Sequence, residues 1–118
     1  MWGSEGKMNL IMTAYLLARL IAGEAGVCDI DAKLAVAHVN ANRIEAGIVG
    51  GWYGDADPSY DDMAAAMYWQ AAPDPTDGAL YLFSAADEGR DAVRAITADA
   101  TMTAQFPCAG GMLRAWRP

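Results

Sequence analysis

Positive charge is scarce in this chain. Eight lysines and arginines stand against fifteen aspartates and glutamates, a net charge of −7 over 118 residues. A surface that holds a phosphate backbone or an anionic bilayer by charge needs a basic stripe. The single basic cluster, Arg114-Ala115-Trp116-Arg117, is too small to make one, so nucleic acid is excluded as a partner. Long apolar runs are missing as well. None reaches the roughly 18 residues of a transmembrane helix, and no membrane insertion is expected. Residues 9–22 are apolar enough to suggest a signal-peptide core, but Arg19 interrupts them and the pattern runs on into the segment that follows. They read as a core helix. No signal peptide is visible, so work outside the cytoplasm would need export by another route or release by a phage. Histidine occurs once, at His38, and cysteine twice, at Cys28 and Cys108, 80 positions apart. Neither cysteine has a second Cys or His at metal-ligand spacing, so neither a metal nor a cofactor is expected. The pair could close one disulfide, worth up to about 4 kcal/mol in the chain-entropy model, or stay as two buried thiols.

What is present is apolar. Hydrophobic residues make up 54% and charged residues 19%, a globular composition. The length suits a single, monomeric domain, with residues 1–8 as a loose terminus and 9–118 as the folded unit. Leu10, Ile11, Ala14, Leu17, Ala18 and Ile21 recur at helical steps and predict a helix over Asn9–Ala22. The glycines at 23 and 26 should break it. A second helix begins near Asp29 or Asp31, either a possible cap, and runs to about Ala46. Residues 47–58 read as a loop. Ser59 with Asp62 forms a capping box that opens a third helix, Tyr60–Ala72, stopped by Pro73-Asp74-Pro75. Residues 78–84 predict a strand, Glu88–Asp99 a fourth helix, and Gln105–Trp116 a strand pair about Gly110-Gly111. The sum is a mainly helical α+β domain with a small antiparallel sheet.

Within that plan one residue is awkward. Glu24 is a lone carboxylate at the end of an apolar helix in which only Arg19 is charged. Apolar surroundings and the negative end of a helix dipole both disfavour the charged form of a carboxyl group. A carboxyl that keeps its proton can donate it as a general acid. The bland alternative is a solvated C-cap.

Two further segments bear on that choice. Gly23-Glu24-Ala25 is followed by Ala35-Val36-Ala37 and then Asn42-Arg43-Ile44, with Glu24 and Asn42 18 positions apart. Later comes Asp74-Pro75-Thr76-Asp77-Gly78-Ala79-Leu80-Tyr81. In this order the three segments resemble the SleB-like cell-wall hydrolases, the spore-cortex-lytic family that includes CwlJ-type proteins. The resemblance spans about Leu16–Ser84. It implies a lysozyme-like fold, peptidoglycan glycan strands as substrate, and Glu24 as catalytic acid/base. Family members of this kind look like lytic transglycosylases. A two-carboxylate glycosidase holds its acids about 5–5.5 Å or about 6.5–9.5 Å apart. A lytic transglycosylase can use one, which protonates the glycosidic oxygen and then helps the muramoyl 6-hydroxyl attack C1. Where the family shows a second Glu, four residues after the first, this chain has Cys28. The family's Gly-Asn-His-x-Phe stretch is matched at best by Thr103-Ala104-Gln105-Phe106.

The expected substrate-binding residues are Asn42, Thr76, Gly78, Ala79, Tyr81 and Trp52. Tyr53 and Trp69 are further sugar-stacking candidates, against a packing role. His38 reads as a satisfied helix histidine. Asp74 and Asp77 are candidates for a second carboxylate, against simple turn residues. Two other readings compete: an inactive glycan-binding module of the same fold, and an acidic domain that binds a basic protein partner.

Overall fold

Alternating patches of helical and strand-like periodicity are resolved into nine short elements in the computed structural model, which describes residues 4–48, 50 and 55–118, with side chains from residue 12 onward. Helix α1 covers Ser4–Ala25, α2 Ile30–Glu45, α3 Tyr60–Tyr68 and α4 Asp91–Thr97. Strands are β1 Tyr81–Ser84, β2 Thr101–Cys108 and β3 Gly111–Arg117, and two 3-10 turns occupy Trp69–Ala71 and Asp87–Gly89. The three strands form one antiparallel sheet in the order β1-β3-β2. This is the α+β, mainly helical architecture that the periodicities predicted.

Helix α1 is longer than expected at both ends. It begins at Ser4 rather than Asn9 and passes through Gly23 without breaking. A helical glycine costs only about 1 kcal/mol. Ala18, Ile21 and Ala25 lie on one face and are fully or almost fully buried, which offsets that cost. The stop comes at Gly26, where an added Cβ would lie 2.3 Å from the Ala22 carbonyl oxygen. Only glycine allows the chain to turn so tightly against its own helix.

Helices α1, α2 and α3 pack on one another, and the sheet closes over α2. Nine of the fifteen buried apolar residues among those described are alanines, including Ala32, Ala35 and Ala37 of α2 and Ala65 and Ala66 of α3. Side chains this small let helix axes approach closely, with Ile21, Val36 and Val39 filling what remains. Phe106 and Ala115 bring the sheet to the same core.

The capping box at α3 forms as predicted: Asp62 N–H donates to Ser59 Oγ at 3.2 Å, and Ser59 N–H to Asp62 Oδ2 at 2.8 Å. The helix ends at Tyr68 in a 3-10 turn, short of Ala72. Asp29 occupies the N-cap position of α2 but makes no side-chain cap bond. β1 starts at Tyr81 rather than Gly78, because Asp77 and Gly78 take positive φ values of 53° and 78° and belong to a turn. α4 is shorter than Glu88–Asp99. Asp87 N–H bonds to Ser84 Oγ, which draws residues 87–89 into a tight turn ahead of the helix. The β2–β3 hairpin turns on Ala109 and Gly110, both at positive φ (50° and 82°), as a two-residue type I′ connection requires.

Cys28 and Cys108 form a disulfide, which settles the choice left open by the sequence. It joins the α1–α2 connection to the end of β2, where the same two residues also pair as a β-bridge. Closing an 80-position separation restricts the unfolded chain strongly. Reduction, or Cys28→Ala with Cys108→Ala, is expected to lower stability by about 3 kcal/mol, read as a drop in the urea midpoint with m unchanged.

Candidate active site

The expected site residues separate into a cleft and a partly buried frame beside it. The cleft, of about 350 Å³, is lined by Glu24 from the last turn of α1, Arg43 from α2, residues 80–84 including Tyr81, and the 87–96 segment. Side chains of a strand alternate between faces. A cavity touching Leu80 and all four successive residues of β1 therefore meets the strand along its free edge. Glu24 is half-buried there.

Arg43 is the residue that ties α2 to this edge. Its Nη1 donates to the Leu80 carbonyl at 2.9 Å and its Nη2 to Gly50 O at 2.6 Å. Its guanidinium lies 5.6 Å from the centre of the Tyr81 ring, within cation–π range. Tyr81 in turn stacks on Phe83.

The frame is organised by Asp74. Oδ2 accepts from Asn42 Nδ2 at 2.9 Å and from Gly78 N–H at 3.0 Å; Oδ1 accepts from Thr76 N–H at 2.8 Å and Thr76 Oγ1–H at 2.6 Å. Asn42 Nδ2 also donates to Ala79 O at 3.1 Å, and Ala79 N–H to Thr76 Oγ1 at 3.3 Å. The 74–79 turn is thus folded around one carboxylate, whose negative charge suits four converging donors. Thr76 and Ala79 are fully buried, and neither side chain reaches the cleft. A register shift between Met102 and Ala104 turns Thr103 toward the frame, where its hydroxyl donates to Thr76 O at 2.5 Å. Bulges commonly re-aim a side chain in this way.

Asp74 and Asp77 were candidates for a second carboxylate, and neither lines the cleft with Glu24. Asp74 is enclosed by its donors, and Asp77 is exposed and pairs with Arg117 at 3.1 Å. The other carboxylate that lines the cleft is Asp87, which the sequence reading passed over. Its Oδ2 accepts from Ser84 Oγ at 2.9 Å and its Oδ1 lies 3.3 Å from Arg90 Nε. The position of the family's second Glu holds Cys28, committed to the disulfide.

The aromatic candidates divide differently. Trp52 and Tyr53 lie outside the described residues. Trp69 lines a separate apolar groove of about 880 Å³ between α1, α2 and α3, together with Leu17, Leu20, Ile44 and Met67. That groove is larger but contains neither Glu24 nor any residue of the Asp74 frame. His38 is buried edge-on against Trp69, ring centres 5.3 Å apart, and its Nε2 has no hydrogen-bond partner. At Nε2, among the described residues, it is not the satisfied histidine expected from the sequence, and it does not line the cleft. Lys33 and Asp62, missed as a pair, form a buried salt bridge at 2.5 Å. The pattern held no signal for it, since Lys33 sits among apolar positions of α2 as any snorkelling lysine might.

Burial alone would push the carboxyls of Asp74 and Asp62 up. The donors around Asp74, and the Lys33 and Ser59 bonds to Asp62, outweigh burial and hold both below the ordinary value of 3.8. A carboxyl depressed in the folded state stabilises above its unfolded pKa, and that stability is lost as pH falls through the folded one. Melting temperature should be flat from about pH 5 to 7 and fall below about pH 4. The acid-induced drop should be smaller in Asp62→Asn and in Asp74→Asn, measured by thermal denaturation against pH.

No described helix is long and apolar enough to cross a membrane, and the described residues contain no group of three or more His, Cys, Asp or Glu able to hold a metal ion. No family pattern matches the sequence, and no curated protein is similar to it. Among solved structures, the catalytic domain of the Bacillus cereus SleB protein is similar, with 16% identity, 89% of each chain covered and a TM-score of 0.63. The chain therefore has the fold of that catalytic domain, a mainly helical α+β domain with a small antiparallel sheet.

Proposed function

We propose that the protein degrades peptidoglycan by cleaving the MurNAc-GlcNAc glycan strand as a lytic transglycosylase, with Glu24 as the single acid/base. The observation that carries this reading is the cleft itself. Glu24 stands at the end of α1 and shares the cleft with β1, whose approach is tied down by Arg43 at Leu80 and by the Asp74 frame at residues 74–79. The fold shared with the SleB catalytic domain supports it.

Glu24 protonates the glycosidic oxygen as the C1–O bond breaks, and the muramoyl C1 develops oxocarbenium character. The carboxylate left behind then takes the proton of the muramoyl 6-hydroxyl as that oxygen attacks C1. The products are a 1,6-anhydromuramoyl end and a free GlcNAc 4-hydroxyl, and Glu24 regains its proton. Asp87 is engaged by Ser84 and Arg90, which favours the one-carboxylate route over a two-carboxylate hydrolysis. Tyr81 supplies a cleft wall. Asn42, Thr76, Gly78 and Ala79 act indirectly, by fixing the turn that leads into β1. Action on the cell wall implies export or release, and the glycan strand is the partner.

The test is to incubate purified protein with peptidoglycan sacculi and to identify released muropeptides by mass. Anhydromuramoyl ends are expected. Reducing ends would replace transglycosylation by hydrolysis. Protein that sediments with sacculi yet releases nothing would point to a binding module, and protein that does neither would sink the reading.

A further inference from the structure

Lys33 and Asp62 are the most deeply buried oppositely charged residues among those described, 3% and 2% exposed. A buried ion pair must overcome the desolvation of both charges and is often replaceable by apolar residues without loss of stability. Stability is thus a weak account of this one, and its other contacts offer a better one. The Lys33 ammonium donates to three acceptors: Asp62 Oδ1, the Ala25 carbonyl at 3.0 Å and the Gly26 carbonyl at 3.1 Å. The first of these carbonyls is the last of α1 and the second belongs to the residue that follows the helix, one and two positions after Glu24. A helix leaves its final carbonyls without intrahelical donors, and here a side chain from the next helix supplies them.

The rest of the surroundings points the same way. Asp62 Oδ2 accepts from Ser59 N–H, so the ion pair is anchored to the start of α3. On the other side of the same turn, Gly26 packs on Ala22 O, Cys28 N–H bonds to Ala25 O at 3.1 Å, and the disulfide ties Cys28 to β2. The peptide that follows Glu24 is therefore gripped from α2, α3 and the sheet at once. A carboxylate on an ordinary helix terminus would fray with it.

We propose that the Lys33–Asp62 pair is a positioning device for Glu24, fixing the last turn of α1 so that the carboxyl keeps its aim into the cleft. The proposal rests on Glu24 being the acid of the reaction above. Lys33 and Asp62 touch no substrate; they act through the Ala25 and Gly26 carbonyls.

The double variant Lys33→Met with Asp62→Leu removes both charges at similar volume and leaves no unpaired buried ion. On soluble glycan strands it is expected to lose tenfold or more in kcat with KM unchanged. Hydrogen exchange at the Cys28 amide, which bonds to Ala25 O, should speed up at least tenfold while core amides of α2 stay protected. Asp62→Asn keeps an acceptor for Ser59 and for Lys33 but leaves the buried ammonium without its counter-charge, a cost in stability that is separated out by comparing activity and exchange with melting temperature. It should show the same split in smaller measure, and it decides the matter if the double variant does not fold. Wild-type kcat in a folded double variant would overturn the proposal. So would a loss of activity that merely tracks the fall in melting temperature, with Cys28 exchange unchanged relative to the core. Should wild-type protein release nothing from sacculi, the glycan-cleaving reading fails on its own. The exchange measurement still shows whether the pair orders the turn: unchanged Cys28 protection would overturn that as well.

Discussion

Glu24→Gln is expected to reduce the release of anhydromuropeptides from sacculi by a factor of about 10²–10⁴, the usual worth of a positioned general acid/base. Glutamine matches glutamate in shape and can still fill its place in the cleft, but it has no proton to give to the glycosidic oxygen. Under the proposed mechanism the same atom serves twice, as acid and then as base, so both halves of the reaction suffer together. No neighbour is placed to take over. Asp87 is engaged by Ser84 and Arg90, and Asp74 has four donors on its two oxygens. Cosedimentation with sacculi should be unchanged, since the substitution removes a proton rather than a surface. A Glu24→Gln protein that clears sacculi at a wild-type rate would remove Glu24 from the chemistry and with it the one-carboxylate mechanism.

Asp74→Ala should destabilise the domain by about 4 kcal/mol, because hydrogen bonds to a charged acceptor are each worth about 1.5–3 kcal/mol and partial solvation of a half-buried site trims their sum. The lost acceptor strands Thr76 N–H and one Asn42 amide hydrogen, and Thr76 is fully buried. The turn then has no reason to hold Asp77 and Gly78 at positive φ, at 53° and 78°, and the entry to β1 loosens. The loss should appear as a lower urea midpoint, and activity at low denaturant should fall too, since Leu80 and Tyr81 line the cleft. Asp74→Asn, which keeps two acceptor lone pairs but adds two donors, should fall between the two. A Thr76→Val protein loses only the 2.6 Å and 3.3 Å bonds of the hydroxyl and should cost less than Asp74→Ala. Equal stability of Asp74→Ala and wild type would show that the frame organises itself without the carboxylate.

Much of this was legible in the chain and some was not. The helices announced themselves through three- and four-residue apolar steps, and Ser59 with Asp62 marked the start of α3 to the residue. The Asp74-Pro75-Thr76-Asp77-Gly78 run was readable as a turn, because proline, aspartate and glycine each have a local reason to be there. What failed was the interpretation of partners. Gly23 was read as a breaker, but burial of Ile21 and Ala25 outweighed its propensity. Thr76 and Ala79 were assigned to substrate, and both are fully buried. Asp74 and Asp77 were weighed as a second acid, whereas Asp87 is the carboxylate that shares the cleft with Glu24.

The sequence by itself determined the periodic elements, the turn chemistry and the singular position of Glu24. These depend on residues near one another along the chain, whose preferences are set by backbone geometry and solvation. Tertiary structure alone decided that Cys28 meets Cys108, that Lys33 reaches the end of α1 and finds Asp62, that Asn42 closes on Asp74, and that His38 turns to Trp69. Each of those contacts joins residues that are distant in the chain or on different elements, with the closing geometry set by how alanine-lined helices approach one another. Spacing in a sequence carries no record of that distance.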